Sequence, residues 1–453
     1  MRIDFDRVGL LGVFMTLSVA VGSLPAATTT DAPSAAPTFT KDVAPILQRS
    51  CENCHRPGQI GPFSMLTYEE TRPWAKAIRQ QVVQRNMPPW YIDKNIGLHD
   101  FKNDVSLSDK EIATISKWVD AGAPKGDPAD MPSPVKFDDS DRWHIGKPDI
   151  VVHLNKDVKV KARQPDQWLD IETQDLGLSS DRYVQAVEVK PLTGSKVVHH
   201  VTSQLVDPDS ETGRTVFEEY AVGKYGNTFP DDSGMLLKKG SKILANLHLH
   251  AVGEDTPVDV AFAIKLWPEG VVPKHVLEMR QLASSHDLDI PPNTKNVRAD
   301  GYSILPRPAV IVSFQPHMHN RGQAQCLELI EPGAGSNGGS RPAQEMVSCV
   351  DRFKFDWHVV YEYADDAAPI VPAGTVIHQI SLYDNTAANP SNPEPSNWVG
   401  WGERTADEMS LSWISYYFIS DQEYKDRIAQ RQAKKSQAKK NASAGVASST
   451  SSR

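Results

Sequence analysis

The pentapeptide Cys51-Glu52-Asn53-Cys54-His55 constrains this chain more than any other stretch, because it sets two thiols and an imidazole within one turn of backbone. C-x-x-C-H spacing lets both thiols add to the vinyl groups of one haem while the next imidazole ligates its iron. Zinc would need a second Cys/His pair nearby, and His99 is the only other imidazole between 39 and 127. The motif therefore predicts one covalent haem c on Cys51 and Cys54, with His55 as iron ligand. Its sixth ligand is sought on a Pro-rich loop downstream, where Met87-Pro88-Pro89-Trp90 offers a thioether. Met65 is the competitor, and core packing is the alternative role for a methionine.

Helical patterns surround the motif. Asp42 to Ser50 runs into the cysteines, Trp74, Ile78 and Val82 repeat at i, i+4, i+8, and Ile112, Ile115 and Val119 follow a Ser108-x-x-Glu111 capping box. Gly122, Pro124 and Gly126 stop the last helix. Residues 39–127 thus read as a small all-α domain. With the loop methionine and the closing helix ending Trp118-Val119-Asp120-Ala121-Gly122, it resembles a class I cytochrome c domain.

Ahead of it, Arg2 and Arg7 precede an apolar run from Val8 to Val21 and small residues to Ala27, which reads as a secretory signal over 1–27, with a flexible tether over 28–38. The run is shorter than the roughly 20 apolar residues that span a bilayer, so a periplasmic or secreted protein with no stable membrane span after processing is expected. Export suits Cys326 and Cys349 as a disulfide pair; two buried thiols are the alternative.

Beyond a Pro- and Asp-rich linker at 128–142, the texture changes to short β-branched or alternating runs such as Asp149 to Leu154, Tyr183 to Val189, Val197 to Val206, Val258 to Leu266 and Ala309 to Phe314. The 33 Pro and 28 Gly punctuate them as turns. The expected fold class is multidomain: the small all-α cytochrome c domain, then two all-β antiparallel, jelly-roll-like sandwiches over 143–290 and 291–424. Residues 425–453, rich in Lys, Gln, Ser and Ala, read as a frayed helix passing into a disordered basic tail. A net charge of -9 argues against nucleic acid as partner.

Three histidine groups run through the β region: His199-His200, His248-x-His250 and His317-x-His319. On a strand, i and i+2 share a face, so each His-x-His can chelate, whereas adjacent histidines share an ion only at a strand end or bulge. Imidazole and thioether in an exported protein suit copper.

Here the chain resembles the copper type II, ascorbate-dependent monooxygenases, the family of peptidylglycine α-hydroxylating monooxygenase and dopamine β-hydroxylase, over about Trp143 to Phe418. The resemblance implies two β-sandwiches and two coppers. One copper would sit on His199, His200 and His248, with His250 able to exchange roles with His248. The other would sit on His317, His319 and Met409, the last following Trp401-Gly402-Glu403 and preceding the aromatic run Trp413 to Phe418. It also implies an electron-transfer role for the first copper, and dioxygen binding with C–H hydroxylation at the second. Met318 reads as core, and His358 and His378 as structural. Gln315 stands where peptide-amidating members carry an Arg for a terminal carboxylate, and Trp413 replaces a Tyr, which puts peptide amidation in doubt.

The expected partners are dioxygen, a small-molecule or peptide substrate, and an electron donor, either an ascorbate-like reductant or a redox protein. Two rivals stand beside this reading: a periplasmic electron-transfer or copper-handling protein without hydroxylase activity, and a carbohydrate- or cell-surface-binding β-sandwich module attached to a cytochrome.

Overall fold

Helix-start chemistry organises the N-terminal segment. The structure is a computed structural model that describes residues 36–450 apart from 58, 60, 138–142, 155–157, 211–212, 222–223, 225 and 334–343. The signal expected over 1–27, and the tether as far as 35, lie outside the described residues. After a π-helical turn at Phe39–Val43 come α1 (Ala44–Ser50), α2 (Tyr68–Thr71), α3 (Ala75–Val83) and α4 (Asp109–Asp120). The Ser108–Glu111 capping box forms, with the Glu111 carboxylate accepting from the Ser108 amide at 2.8 Å, and a second box at Thr67–Glu70 starts α2. These helices close a core of their own around Phe39, Leu47, Ile78, Ile115 and Trp118.

Between α3 and α4 the chain leaves that core. Trp90, Tyr91 and Ile92 belong instead to the core of the β region. The amides of Asp93 and Leu98 donate to the carbonyls of Cys349 and Val347 at 2.8 and 2.9 Å. Gly97 has φ 71°, and a Cβ there would lie 2.3 Å from the Val347 carbonyl oxygen, so only glycine permits this approach.

In the first half of the β region lie β1 (Ile150–His153), β2 (Val158–Val160), β3 (Gln167–Glu172), β4 (Arg182–Thr193), β5 (Val198–Val206), β6 (Arg214–Ala221), β7 (Asn227–Thr228), β8 (Ser233–Leu237), β9 (Lys242–Leu249) and β10 (Thr256–Leu266). There follow β11 (His275–Leu282), β12 (Lys295–Leu305), β13 (Ala309–His317), β14 (Gly322–Ile330), β15 (Gln344–Val350), β16 (Tyr361–Glu362), β17 (Ile370–Val371), β18 (Thr375–Asp384) and β19 (Leu411–Phe418). The protein is thus mostly β-sheet, as β-sandwich domains require. The sheet β3-β9-β5-β6 accompanies the run β1-β10-β4-β8, and β12-β18-β14-β15 accompanies β11-β19-β13-β16. A short parallel contact between β8 and β11, at Ser233 and His275, fuses the two longer runs into one sheet. Because β11 pairs along its length with β19, it belongs with the second set of strands although it precedes the boundary expected at 290.

Cys326 and Cys349 sit directly opposite one another on β14 and β15 and are disulfide-bonded.

The C-terminal segment, expected as a frayed helix passing into a disordered basic tail, is helical through its described length. It forms α5 (Asp421–Thr450), consistent with the high helix propensity of its Ala, Lys, Gln and Arg. Its first turns are pinned by Glu423, which takes hydrogen bonds from Lys274 at 3.0 Å and His275 at 2.9 Å, and by Tyr424 and Ile428 packing on the β core. Among the described residues, no helix is long and apolar enough to cross a membrane.

Candidate metal centre

The first histidine group is built by a strand irregularity. β5 and β9 run antiparallel with His200 opposite His248, and their register slips between Val198 and His200. That slip is what lets adjacent histidines converge. The ring of His248 stands 5.0 Å from each of His199 and His200, which are themselves 5.3 Å apart. Ring nitrogens of all three lie within 4.8 Å of one another. His250 stands farther from His199, at 6.2 Å, and is not a member of this group.

His248 is the best oriented of the three. Its Nε2 donates to Asp166 at 3.1 Å, and Trp168 stacks on its ring at 4.3 Å. Nδ1 is left buried without a hydrogen-bond partner, facing its neighbours. This is the arrangement in which an outer carboxylate fixes the tautomer of a ligand. Burial, reinforced by neighbouring imidazoles, pushes His199 down to about 4, and burial pushes His200 down to about 3. Both rings are therefore neutral near pH 7, the form that binds metal.

The second group gathers at the end of β13. His317 stands 5.4 Å from His319 and 5.1 Å from His358, ring to ring. His319 is held by its backbone amide, which donates to Glu408 at 2.8 Å, and by Nδ1, which donates to the Asp407 carbonyl at 3.1 Å. Arg321 completes the strap: its amide donates to the other Glu408 oxygen at 2.6 Å and its guanidinium to the Ala406 carbonyl at 3.0 Å. Met409 follows directly, half-buried, its carbonyl accepting from the Tyr383 hydroxyl at 2.7 Å. Burial pushes His317 well down and His319 to about 4.

Two residues enter that the sequence reading did not assign to the site. His358, expected to be structural, lies in the group because the loop between β15 and β16 carries its ring to within 5.1 Å of His317. Glu219 reaches in from β6, and its carboxylate lies with His317 and His358 within a 4.8 Å set of donor atoms. The amide of Gln315 donates to Glu219. Burial alone would raise the Glu219 carboxyl, but His358, Lys224 and His317 outweigh it and hold the group well below the usual carboxylate range. The sequence carried a hint in the adjacent acids Glu218-Glu219, set between Phe217 and Tyr220 on β6.

The two groups face each other around one ring. Phe355 lies 5.8 Å from His199, 5.3 Å from His319 and 5.7 Å from His358. Met318 is fully buried, and His378 sits between Asp300 and Glu328, each at 2.7 Å.

At the C-x-x-C-H motif the amides of Cys54 and His55 return to the Cys51 carbonyl at 3.1 and 2.9 Å, closing a tight turn. Cys51 and Cys54 are not joined to each other. His55 Nδ1 donates to the Phe63 carbonyl at 3.2 Å, which leaves Nε2 as the donor for a metal. The donor set suits haem c. Met87 lies in the wall of a cavity of about 370 Å³ with Val82, Trp90, Leu107 and Arg352, and none of Cys51, Cys54 or His55 lines that cavity. Met65 is buried in the helical core, and its amide donates to the His55 carbonyl at 2.9 Å.

No family model matches the chain, and no curated protein matches it. Among solved structures, a peptide-N(4)-(N-acetyl-β-D-glucosaminyl) asparagine amidase is similar at 9% identity over 59% of this chain and 96% of its own, with a TM-score of 0.26. A structure of infectious bursal disease virus, Gx strain, is similar at 10% identity over 55% of this chain and 58% of its own, with a TM-score of 0.17. Likenesses this slight carry no inference about fold or function.

Proposed function

We propose that this protein is an exported, haem- and copper-dependent monooxygenase that hydroxylates a C–H bond with dioxygen. One observation carries the reading: two histidine groups, His199, His200 and His248 on β5 and β9 and His317, His319 and His358 at and beyond the end of β13, approach one another across Phe355, which touches His199 on one side and His319 and His358 on the other. Hydroxylation converts R–H, O2, two electrons and two protons into R–OH and water. The site must therefore receive electrons as well as substrate. When bound, copper supplies one-electron redox chemistry and dioxygen activation, and haem c supplies a one-electron relay from an ascorbate-like reductant or a redox protein.

The chain's own residues have distinct tasks in this scheme. His199, His200 and His248 would hold the first copper, with Asp166 fixing the third ring. His317, His319 and Met409 would hold the second, where a thioether favours the reduced ion. The Glu408–Arg321 strap sets His319 and the Met409 turn relative to each other. Cys51, Cys54 and His55 would hold the haem, with Met87 as sixth ligand, and the loop that follows Met87 docks on the second set of strands through the amides of Asp93, Leu98 and Lys102. Gln315, spent on Glu219, offers no cation to a terminal carboxylate, so peptide amidation is not the reaction proposed. The Cys326–Cys349 disulfide supports export to the periplasm or beyond.

The test is oxygen consumption by the copper-loaded, haem-loaded chain against a panel of C–H substrates with ascorbate, followed by mass analysis with labelled dioxygen. Substrate-dependent uptake with one labelled oxygen in the product is expected. Uptake indifferent to every substrate in a copper-replete protein overturns hydroxylation in favour of an electron-transfer or copper-handling protein.

A further inference from the structure

Glu219 stands in the first sandwich, yet it completes a donor set with two histidines of the second. It sits on β6 opposite Thr202 of β5, while His317 ends β13 and His358 lies in the loop before β16. A carboxylate oxygen of Glu219 is 3.6 Å from Nδ1 of His358, and with a ring nitrogen of His317 the three donors lie within 4.8 Å of one another. A separation of 3.6 Å is too long for a hydrogen bond. It is close to the roughly 3.4 Å that separates two donors bound at about 2.1 Å to one tetrahedral ion.

The environment fits a ligand set and not a simple ion pair. Glu219 and His358 are buried, at 7% and 5% exposure. Nδ1 of His317 and Nδ1 of His358 are both buried without a hydrogen-bond partner. The second oxygen of Glu219 is already occupied by the Gln315 amide, with Lys224 Nζ 3.9 Å away, so the carboxylate is oriented with its first oxygen towards His358.

We propose that Glu219, His317 and His358 bind a divalent first-row metal ion and thereby clamp the two sandwiches together. Two imidazoles and a carboxylate lack the thioether that favours copper(I), and suit zinc(II) or a similar divalent ion. The site needs neither His319 nor Met409. It shares His317 with the second copper set proposed above, and substitutions on either side of His317 separate the two.

The experiment uses the full haem-loaded chain, stripped with a chelator and titrated with zinc(II) alone. Bound zinc is counted by elemental analysis after dialysis, and thermal unfolding is followed with and without zinc. Wild type is expected to hold two zinc ions, one at His199, His200 and His248 and one at this site. Glu219→Gln and His358→Gln should each hold one, while His319→Ala and Met409→Ala hold two. Zinc should raise the melting temperature of wild type, and by less in Glu219→Gln, because the ion no longer ties β6 to β13. Should Glu219→Gln not fold without metal, His358→Gln decides. Two ions at undiminished affinity in His358→Gln, or loss of the second ion in His319→Ala, overturns the site. A negative oxygen-uptake result leaves this zinc count unaffected, so the two readings fail separately.

Discussion

Asp166 accepts a hydrogen bond from Nε2 of His248 at 3.1 Å, and this single contact decides which nitrogen of that ring faces His199 and His200. Removing such an outer carboxylate typically weakens metal binding by about 10–100-fold. Asp166→Ala is expected to lose affinity in that range at the first group, measured by competition against a copper chelator, while the second group is unchanged. Equal affinity in the variant would mean that Trp168 stacking alone orients the ring.

At the haem motif, His55 Nδ1 is engaged by the Phe63 carbonyl, so Nε2 is the nitrogen presented to iron. Protein matured in a haem-attaching host should keep its colour through acid-acetone extraction, and Cys51→Ser with Cys54→Ser should release it. Met87→Ala is expected to retain attached haem with an open coordination position and an altered potential. If Met65→Ala does this and Met87→Ala does not, the axial assignment moves to Met65.

How much of this was legible beforehand depends on distance along the chain. His199, His200 and His248 were named as a set because the family resemblance implied them; strand periodicity alone puts His248 and His250 on one face and adjacent His199 and His200 on opposite faces, and it took the register slip in β5 to bring the three together. His358 and Glu219 were not, since no local spacing links residue 219 on β6 to His317 at the end of β13 or to His358 in the loop before β16; only their tertiary packing brings them together. A similar limit hid the docking of Trp90 to Ile92, whose apolar character suited either core. The helix at the start of the tail was legible, but its extent was not, because a Lys- and Gln-rich composition serves a solvated helix as well as a disordered chain, and the anchoring contacts of Glu423 are tertiary.

Cys326 and Cys349 lie 23 residues apart, and the Cys349 carbonyl receives the Asp93 amide of the docked loop. Closing a loop of that length contributes about 3 kcal/mol by restricting the unfolded chain. Cys326→Ser with Cys349→Ser should lower stability by roughly this amount in denaturant titrations. Thiol labelling of unreduced, denatured wild type should find neither cysteine. Two labelled thiols in exported, haem-loaded protein would contradict the pairing.

The depressed histidines also give the metal-free protein a defined acid response. Above the ordinary imidazole value of 6.5, His199, His200 and His319 are neutral in both folded and unfolded chains and add no pH dependence. Below it the unfolded chain takes up protons that the folded site refuses until about 4 for His199 and His319 and about 3 for His200, chiefly because burial penalises the charged rings. The unfolded state then binds more protons, so stability falls as pH falls through this window and levels off below it. His317, held well below 6.5 by the same burial, adds to the effect. Denaturant midpoints of stripped protein should therefore drop between pH 6.5 and about 4, and His200→Gln should flatten the slope, because it removes a ring that must stay neutral to remain folded. Zinc or copper, which binds only the neutral rings, should raise the midpoint near pH 7 and lose that effect as acid competes for the same nitrogens. A midpoint independent of pH across this range in the stripped chain would show that these rings accept protons in the folded state and are not held neutral by burial.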